Sequence, residues 1–160
     1  MKTVIYPGSF DPFTNGHLDL VERARCLFDK VVVAVAVNSG KNPLFTLEER
    51  RQLIEESCAG MPNVEVIAFE GLLVDAVRQL NADAILRGLR AFSDFEYELQ
   101  MALMNRELLR GCETIFLTPQ LENSYVSSTL VKEVARLGAD YTAHVPPPVA
   151  RALNQRRKNL

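Results

Sequence analysis

Apolar positions along the chain switch repeatedly between two spacings. Val4, Ile5 and Tyr6 end a short apolar run that predicts a buried strand over residues 2–6. From residue 16 to 28, Leu18, Val21, Ala24, Arg25 and Phe28 fall at helical spacing. Residues 31–37 are an unbroken run of Val and Ala, as expected of a strand covered on both faces. Thr46-Leu-Glu-Glu49 has the form of a capping box and predicts a helix to about residue 58. A third strand follows over 64–69, a helix over 72–80 and a short strand over 84–86. Ser93-Asp-Phe-Glu96 reads as a second capping box, opening a long helix to about residue 110. A strand over 114–117, a helix over 127–137 and a last short helix after Pro146-Pro-Pro148, running through residue 154, complete the pattern.

Regular alternation of this kind predicts an α/β fold, a Rossmann-like, doubly wound sheet of five parallel strands with helices on both faces. No linker, repeat or low-complexity tract interrupts it, so residues 1–160 read as one domain. Ligands of such sheets bind at the carboxyl ends of the strands, where the strand order reverses. The loops after the first, fourth and fifth strands are therefore the places to look. The long helix departs from the amphipathic pattern. Phe95, Leu99, Ala102 and Leu103 form one apolar stripe, and Tyr97, Met101, Met104 and Leu108 a second. A helix apolar on two sides is covered on two sides, by its own monomer or by another subunit.

Composition narrows the class. The net charge of −2 argues against a general nucleic-acid binder. The basic run Arg156-Arg157-Lys158 reads as a solvated end. Three widely separated cysteines, Cys26, Cys58 and Cys112, suggest no disulfide framework, and each is expected to be a small buried apolar residue. Two histidines, His17 and His144, cannot build a zinc site at recognisable spacing. The chain opens directly on a strand without a signal-peptide pattern, and no apolar run is long enough to span a bilayer. The expectation is a cytoplasmic protein with no membrane or nucleic-acid partner.

Candidate chemistry concentrates in three loops. Tyr6-Pro-Gly-Ser-Phe-Asp-Pro-Phe-Thr-Asn-Gly-His17 joins a strand to a helix through residues that let a backbone turn sharply and approach a ligand. The helix start at Asn15-Gly16-His17 offers unpaired N–H groups and a positive dipole end to an anion. Arg87-Gly88-Leu89-Arg90 follows the fourth strand. Its arginines suit bidentate phosphate contacts, or ion pairs with Asp94, Glu96 and Glu98. After the fifth strand, Ser127, Ser128 and Thr129 stand at a helix start, where one hydroxyl suffices for a cap and three can also bind phosphate. Lys41, in the loop after the second strand, could steer an anion or be a plain surface lysine. Neither the P-loop nor the G-x-G-x-x-G pattern is present, so any nucleotide is held in another way. Donors and cations around phosphate, with no dedicated base, suit phosphoryl-type transfer.

These motifs resemble the nucleotidyltransferase superfamily with an H-x-G-H-type signature, here T-x-G-H with Thr14 in the first histidine position and His17 in the second. Together with Arg87-Gly-Leu-Arg-Ala91, Asp94-Phe-Glu-Tyr-Glu98 and Ser127-Ser-Thr-Leu-Val-Lys132, the pattern is similar to the bacterial phosphopantetheine adenylyltransferases along essentially the whole chain. The resemblance implies transfer of AMP from ATP to 4′-phosphopantetheine, giving dephospho-coenzyme A and pyrophosphate with Mg²⁺. It implies in-line attack with His17 as the catalytic group. The sequence shows no acidic metal-ligand motif, so Mg²⁺ is expected to be held by phosphate oxygens and water, with no protein metal ligands. Ser9, Phe10, His17, Gly88, Leu89, Arg90 and Glu98 would contact ATP, and Asn123, Ser124, Tyr125, Val126, Ser127, Ser128 and Thr129 its pyrophosphate end. Ser9, Lys41, Leu73 and Arg87 would hold phosphopantetheine. A homohexamer and feedback inhibition by coenzyme A are further implications. Ser9 stands where the family often has threonine, and Asn123 where an aromatic is frequent. Two other readings stay open: an enzyme of the superfamily with another acceptor, such as nicotinamide mononucleotide, and a non-catalytic nucleotide or coenzyme A sensor.

Overall fold

The computed structural model describes residues 1–37, 42–90 and 92–156, the side chains of Phe92 and Ser93 excepted. Lys41, the Ser93 hydroxyl of the second expected capping box, and Arg157 and Lys158 of the basic tail lie outside that description. The strands are β1 (Thr3–Gly8), β2 (Lys30–Ala36), β3 (Val64–Phe69), β4 (Ala84–Gly88) and β5 (Glu113–Leu117). The helices are α1 (Asn15–Leu27), α2 (Leu47–Ser57), α3 (Leu73–Leu80), α4 (Phe92–Leu108), α5 (Ser128–Arg136) and α6 (Pro147–Arg156). Two 3₁₀ turns, Leu121–Asn123 and Thr142–His144, fall in stretches too short to show a period in the sequence.

All five strands are parallel, in the order β3-β2-β1-β4-β5. Alternate residues of each strand serve opposite faces. Val4, Tyr6, Val31, Val33 and Val35 join Leu20 and Val21 of α1, Ile54 of α2, Val131 of α5 and Leu153 of α6 in the larger core. Ile5, Ala34 and Ile85 pack on the other face with Ala76 and Val77 of α3, and with Cys112 just past α4. Chain order reverses between β1 and β4, and there the sheet opens. Their ladder covers only Val4–Ala84 and Ile5–Ile85, although β1 runs on to Gly8 and β4 to Gly88. The split follows locally from Pro7, which has no N–H to offer a neighbouring strand. Its carbonyl accepts a hydrogen bond from Arg87 Nη1 at 3.1 Å instead.

Several helix ends follow the sequence closely. Thr46 caps α2: the Glu49 N–H donates to Thr46 Oγ1 at 3.2 Å, and the Thr46 N–H donates to Glu49 Oε2 at 2.8 Å. α4 starts earlier than expected, at Phe92, so Ser93 is already helical. α6 also starts earlier than expected, inside the proline run at Pro147, whose missing N–H costs nothing in a first turn.

Other expectations are corrected by packing. The inner face of α1 takes Asp19 and Leu20 with Val21 and Ala24, rather than Arg25. Cys58 and Cys112 are buried, whereas Cys26 is exposed and turns its thiol to the Glu22 carbonyl. Arg156 is no solvated end: it lies over the Phe45 ring at 5.0 Å, donates to the Leu44 carbonyl at 2.7 Å and pairs with Glu49. Along α4, Phe95, Tyr97, Leu99, Met101, Leu103, Met104 and Leu108 are each more than a third exposed. Among the described residues no helix is long and apolar enough to cross a membrane.

Candidate active site

Two clefts meet at the opening between β1 and β4. The first, of about 330 Å³, is lined by the loop after β1, the start of α1, the end of β4 and the start of α5. The second, of about 310 Å³, lies toward α3 and α4. Pro7, Gly8, Ser9, Arg87 and Glu98 line both. Two glycines make this close packing possible. A Cβ on Gly8 would stand 2.8 Å from the Phe10 ring, and one on Gly88 would stand 2.6 Å from Leu20 Cδ1. The first glycine lets the loop fold back on its strand, and the second lets α1 lie against β4.

His17 sits at the wall of the first cleft, in the third position of α1. Thr14 is the cap: its Oγ1 accepts the His17 backbone N–H at 3.4 Å, and the Thr14 backbone N–H donates to His17 Nδ1 at 3.0 Å. This is a capping box with histidine in the place usually held by Glu or Gln. It also sets the tautomer, because an Nδ1 that accepts a main-chain N–H carries no proton. The proton is therefore on Nε2. The ring stacks on Phe13 at 5.5 Å and meets Phe10 edge-on at 5.1 Å. Burial among these rings, reinforced by the charges of Arg90 and Arg87, lowers the His17 pKa from 6.5 to about 3. His17 is thus a neutral, oriented N–H donor. Burial also pushes the Tyr6 phenol well above its ordinary range, despite Arg87 and Arg90, so it too stays protonated.

The arginines after β4 combine the two roles the sequence allowed. Arg87 Nε and Nη2 each donate to the Glu98 carboxylate at 2.6 Å, and Nη1 donates to Pro7. A guanidinium has five N–H donors, so those three bonds leave two open to the clefts. Burial opposes its charge, and the bond to Glu98 outweighs that and raises its pKa. Arg90 donates from Nε to Asp94 at 3.3 Å and from Nη1 to the Val126 carbonyl at 3.2 Å, tying β4 to the loop before α5.

The hydroxyl run divides its work. Ser127 caps α5 by accepting the Leu130 N–H at 3.1 Å, and Ser128 Oγ donates to the Pro12 carbonyl at 2.7 Å. Both line the first cleft with Thr129, so the N-termini of α1 and α5 converge on it. Two helix starts facing one space favour a polyanion. Asp94 and Glu98, the carboxylates on this wall, are engaged by Arg90 and Arg87. Among the described residues no group of three His, Cys, Asp or Glu is arranged to hold a metal.

Of the residues singled out in the sequence, the first cleft gathers Ser9, Phe10, His17, Arg87, Gly88, Arg90, Glu98, Asn123, Val126, Ser127, Ser128 and Thr129. Leu73 lines the second with Ser9 and Arg87. Leu89, Ser124 and Tyr125 line neither. The Leu89 N–H is spent on the Leu117 carbonyl, Ser124 Oγ donates to the Leu121 carbonyl, and Tyr125 turns outward against His144. Lys41 lies outside the described residues. Sequence reading missed Tyr97, Met101, Asn105 and Thr114, which close the second cleft. Asn105 is 7% exposed. Thr114 Oγ1 is buried without a hydrogen-bond partner among the described residues. The one available signal was a pair of polar residues inside an apolar helix and strand.

Comparison with known proteins agrees with this geometry. The model of the cytidylyltransferase-like family matches residues 5–134. The phosphopantetheine adenylyltransferase of Actinobacillus succinogenes is 56% identical over 158 residues, covering 99% of this chain and 98% of that protein. Its counterpart in Hahella chejuensis is 58% identical over 155 residues, covering 97% and 96%. The chain belongs to the phosphopantetheine adenylyltransferase family. A solved structure from Vibrio parahaemolyticus, carrying the name nicotinate-nucleotide adenylyltransferase, superposes with a TM-score of 0.75 at 18% identity, covering 98% of this chain and 94% of that one. At that identity the likeness establishes the shared fold, an α/β Rossmann-like sheet.

Proposed function

We propose that this chain transfers AMP from ATP to 4′-phosphopantetheine, forming dephospho-coenzyme A and pyrophosphate, with residues 1–160 acting as one domain. The observation that carries the reading is the junction of the two clefts. One has the two converging helix starts and the His17 Nε2–H that a triphosphate requires. The other is more apolar, ends on the buried Asn105 side chain and the unpartnered Thr114 hydroxyl, and suits a long arm carrying amides. Arg87 and Ser9 stand between them, where the acceptor phosphate meets the α-phosphate.

An acceptor phosphate oxygen attacks the α-phosphorus as the bond to the bridging oxygen of pyrophosphate breaks on the opposite side. The nucleophile is already an anion, so no base is needed. His17 donates from Nε2 to the α-phosphate oxygens, and the donor is fixed in advance by Thr14 and the Phe10 and Phe13 rings. The start of α5 binds the departing pyrophosphate. Arg87 holds the acceptor phosphate with the donors Glu98 leaves free. Asp94 and Glu98, the carboxylates of this wall, are engaged by arginines, so Mg²⁺ would be held by the substrate's phosphate oxygens and water. When bound, it neutralises part of the phosphate charge.

The chain works in the cytoplasm as a homohexamer, with the exposed apolar residues of α4 supplying subunit contacts. Coenzyme A shares the pantetheine arm and so competes for the second cleft. The direct test is pyrophosphate release with Mg-ATP, comparing 4′-phosphopantetheine, nicotinamide mononucleotide and no acceptor. Release with phosphopantetheine alone, matched by dephospho-coenzyme A, is expected. Release with the mononucleotide instead would move the acceptor, and no release would favour a sensor.

A further inference from the structure

Among the described residues, Arg50 of α2 is the largest fully buried side chain, 1% exposed, and it donates to no carboxylate. Its guanidinium is spent on main-chain carbonyls. Nη1 donates to Ser9 at 2.7 Å and to Ala36 at 3.0 Å, and Nε donates to Phe45 at 3.2 Å. These carbonyls belong to three separate places: the loop after β1, the last residue of β2 and the turn entering α2. The nearby acid, Asp11, faces the same junction from the β1 loop. It accepts the Leu44 and Phe45 N–H groups at 2.8 and 2.9 Å and is held by Lys132 at 3.1 Å. Asp11 and Arg50 therefore fix the Leu44–Phe45 turn from both sides, one at its N–H groups and one at its carbonyl.

A buried cation without a bonded anion is costly, and an apolar residue of similar volume often serves stability as well or better. Two of the three carbonyls that the cation holds lie at the cleft junction. Ser9 lines both clefts, Ala36 lines the second and Phe45 lines neither, and among the described residues no hydrogen bond joins Arg50 to Thr14, His17, Gly88 or Ser127 on the ATP side. We propose that Arg50 is a positioning residue for the transfer reaction, setting the backbone of Ser9 against the end of β2 so that the acceptor phosphate is placed in line with the α-phosphate. This inference rests on the reaction assigned above. Lysine cannot replace the fork, because a single ammonium at the end of a flexible stem does not span three carbonyls in fixed geometry.

The test compares the wild-type chain with Arg50→Lys and Arg50→Gln. Pyrophosphate release is measured with each substrate varied in turn, well below each variant's melting temperature, and ATP binding by calorimetry. Misplacement of reacting groups by about 1 Å costs on the order of 100-fold, so kcat/KM for phosphopantetheine should fall by about that factor in Arg50→Gln and by less in Arg50→Lys. The KM and Kd for ATP should change less than the KM for phosphopantetheine, since of the carbonyls Arg50 holds only Ser9 borders the ATP cleft, while Ala36 lines the second cleft alone. Equal changes in the KM values of both substrates, or an unchanged kcat/KM for phosphopantetheine, overturn the inference. So does failure of both variants to fold, which would assign Arg50 to stability. An inactive wild-type chain would instead overturn the reaction itself, so the two failures are distinguishable.

Discussion

Replacing His17 by alanine isolates the group on which the transfer depends. His17 is neutral, with a pKa of about 3, so it offers one N–H donor rather than a full charge. Removing one preorganised donor from a developing oxyanion costs about 100- to 1,000-fold in kcat, roughly 2.7–4 kcal/mol. Folding should suffer less. The cap from Thr14 Oγ1 reaches the main-chain N–H of residue 17 and survives, while the bond from the Thr14 N–H to Nδ1 is lost, at about 1 kcal/mol. Steady-state dephospho-coenzyme A formation gives kcat, and calorimetry gives ATP affinity, which should be largely intact. The pH profile supplies a second check. Because His17 titrates near 3 rather than 6.5, it contributes no acid limb to kcat across about pH 5 to 8. Its linkage to stability has a defined sign. The folded pKa lies below the unfolded one, so the contribution is complete above pH 6.5 and is lost progressively as pH falls toward 3, where only the unfolded chain takes up the proton. Near-normal turnover in His17→Ala would remove this residue from the mechanism. An acid limb near pH 6.5 that disappears in His17→Gln would refute the neutral donor.

Four further outcomes can be measured directly. Arg87→Ala should raise the KM for phosphopantetheine more than that for ATP, and equal shifts would count against its role at the junction. Gly88→Ala places a Cβ 2.6 Å from Leu20 Cδ1 and should destabilise the fold by about 1–3 kcal/mol in urea titration, with Leu20→Ala in the same chain recovering part of the loss. Thr114→Val removes a buried hydroxyl that has no partner, so the urea midpoint should rise by the equivalent of about 1 kcal/mol while the KM for phosphopantetheine increases. Sedimentation should show an assembly well above the 17.9 kDa monomer, and Met104→Glu with Leu108→Glu should shift it toward the monomer.

Much of the fold was legible because its physics is local. The all-apolar run of β2, the Thr46–Glu49 capping box and the strand–helix alternation each depend on residues close in sequence, and together they define a wrapped parallel sheet. The T-x-G-H loop, the paired arginines and the hydroxyl run also marked three of the loops that converge on the first cleft. Those residues are chemically distinctive, and the parallel topology brings strand ends together whatever fills the core.

Tertiary structure decided what each group is free to do. The sequence could not show that Glu98 takes two donors of the Arg87 fork, that burial against Phe10 and Phe13 holds His17 neutral, or that Arg156 closes over Phe45 instead of meeting solvent. Nor could it show that Arg50, one of two arginines on a polar helix, turns inward to carbonyls of three separate segments. The second cleft was the least visible, because Asn105 and Thr114 carry no motif and matter only through the cleft wall on which the fold buries them. Propensity and patterning are set by neighbours along the chain and can be read there. Desolvation and hydrogen-bond satisfaction are set by neighbours in space, and they exist only once the chain has folded.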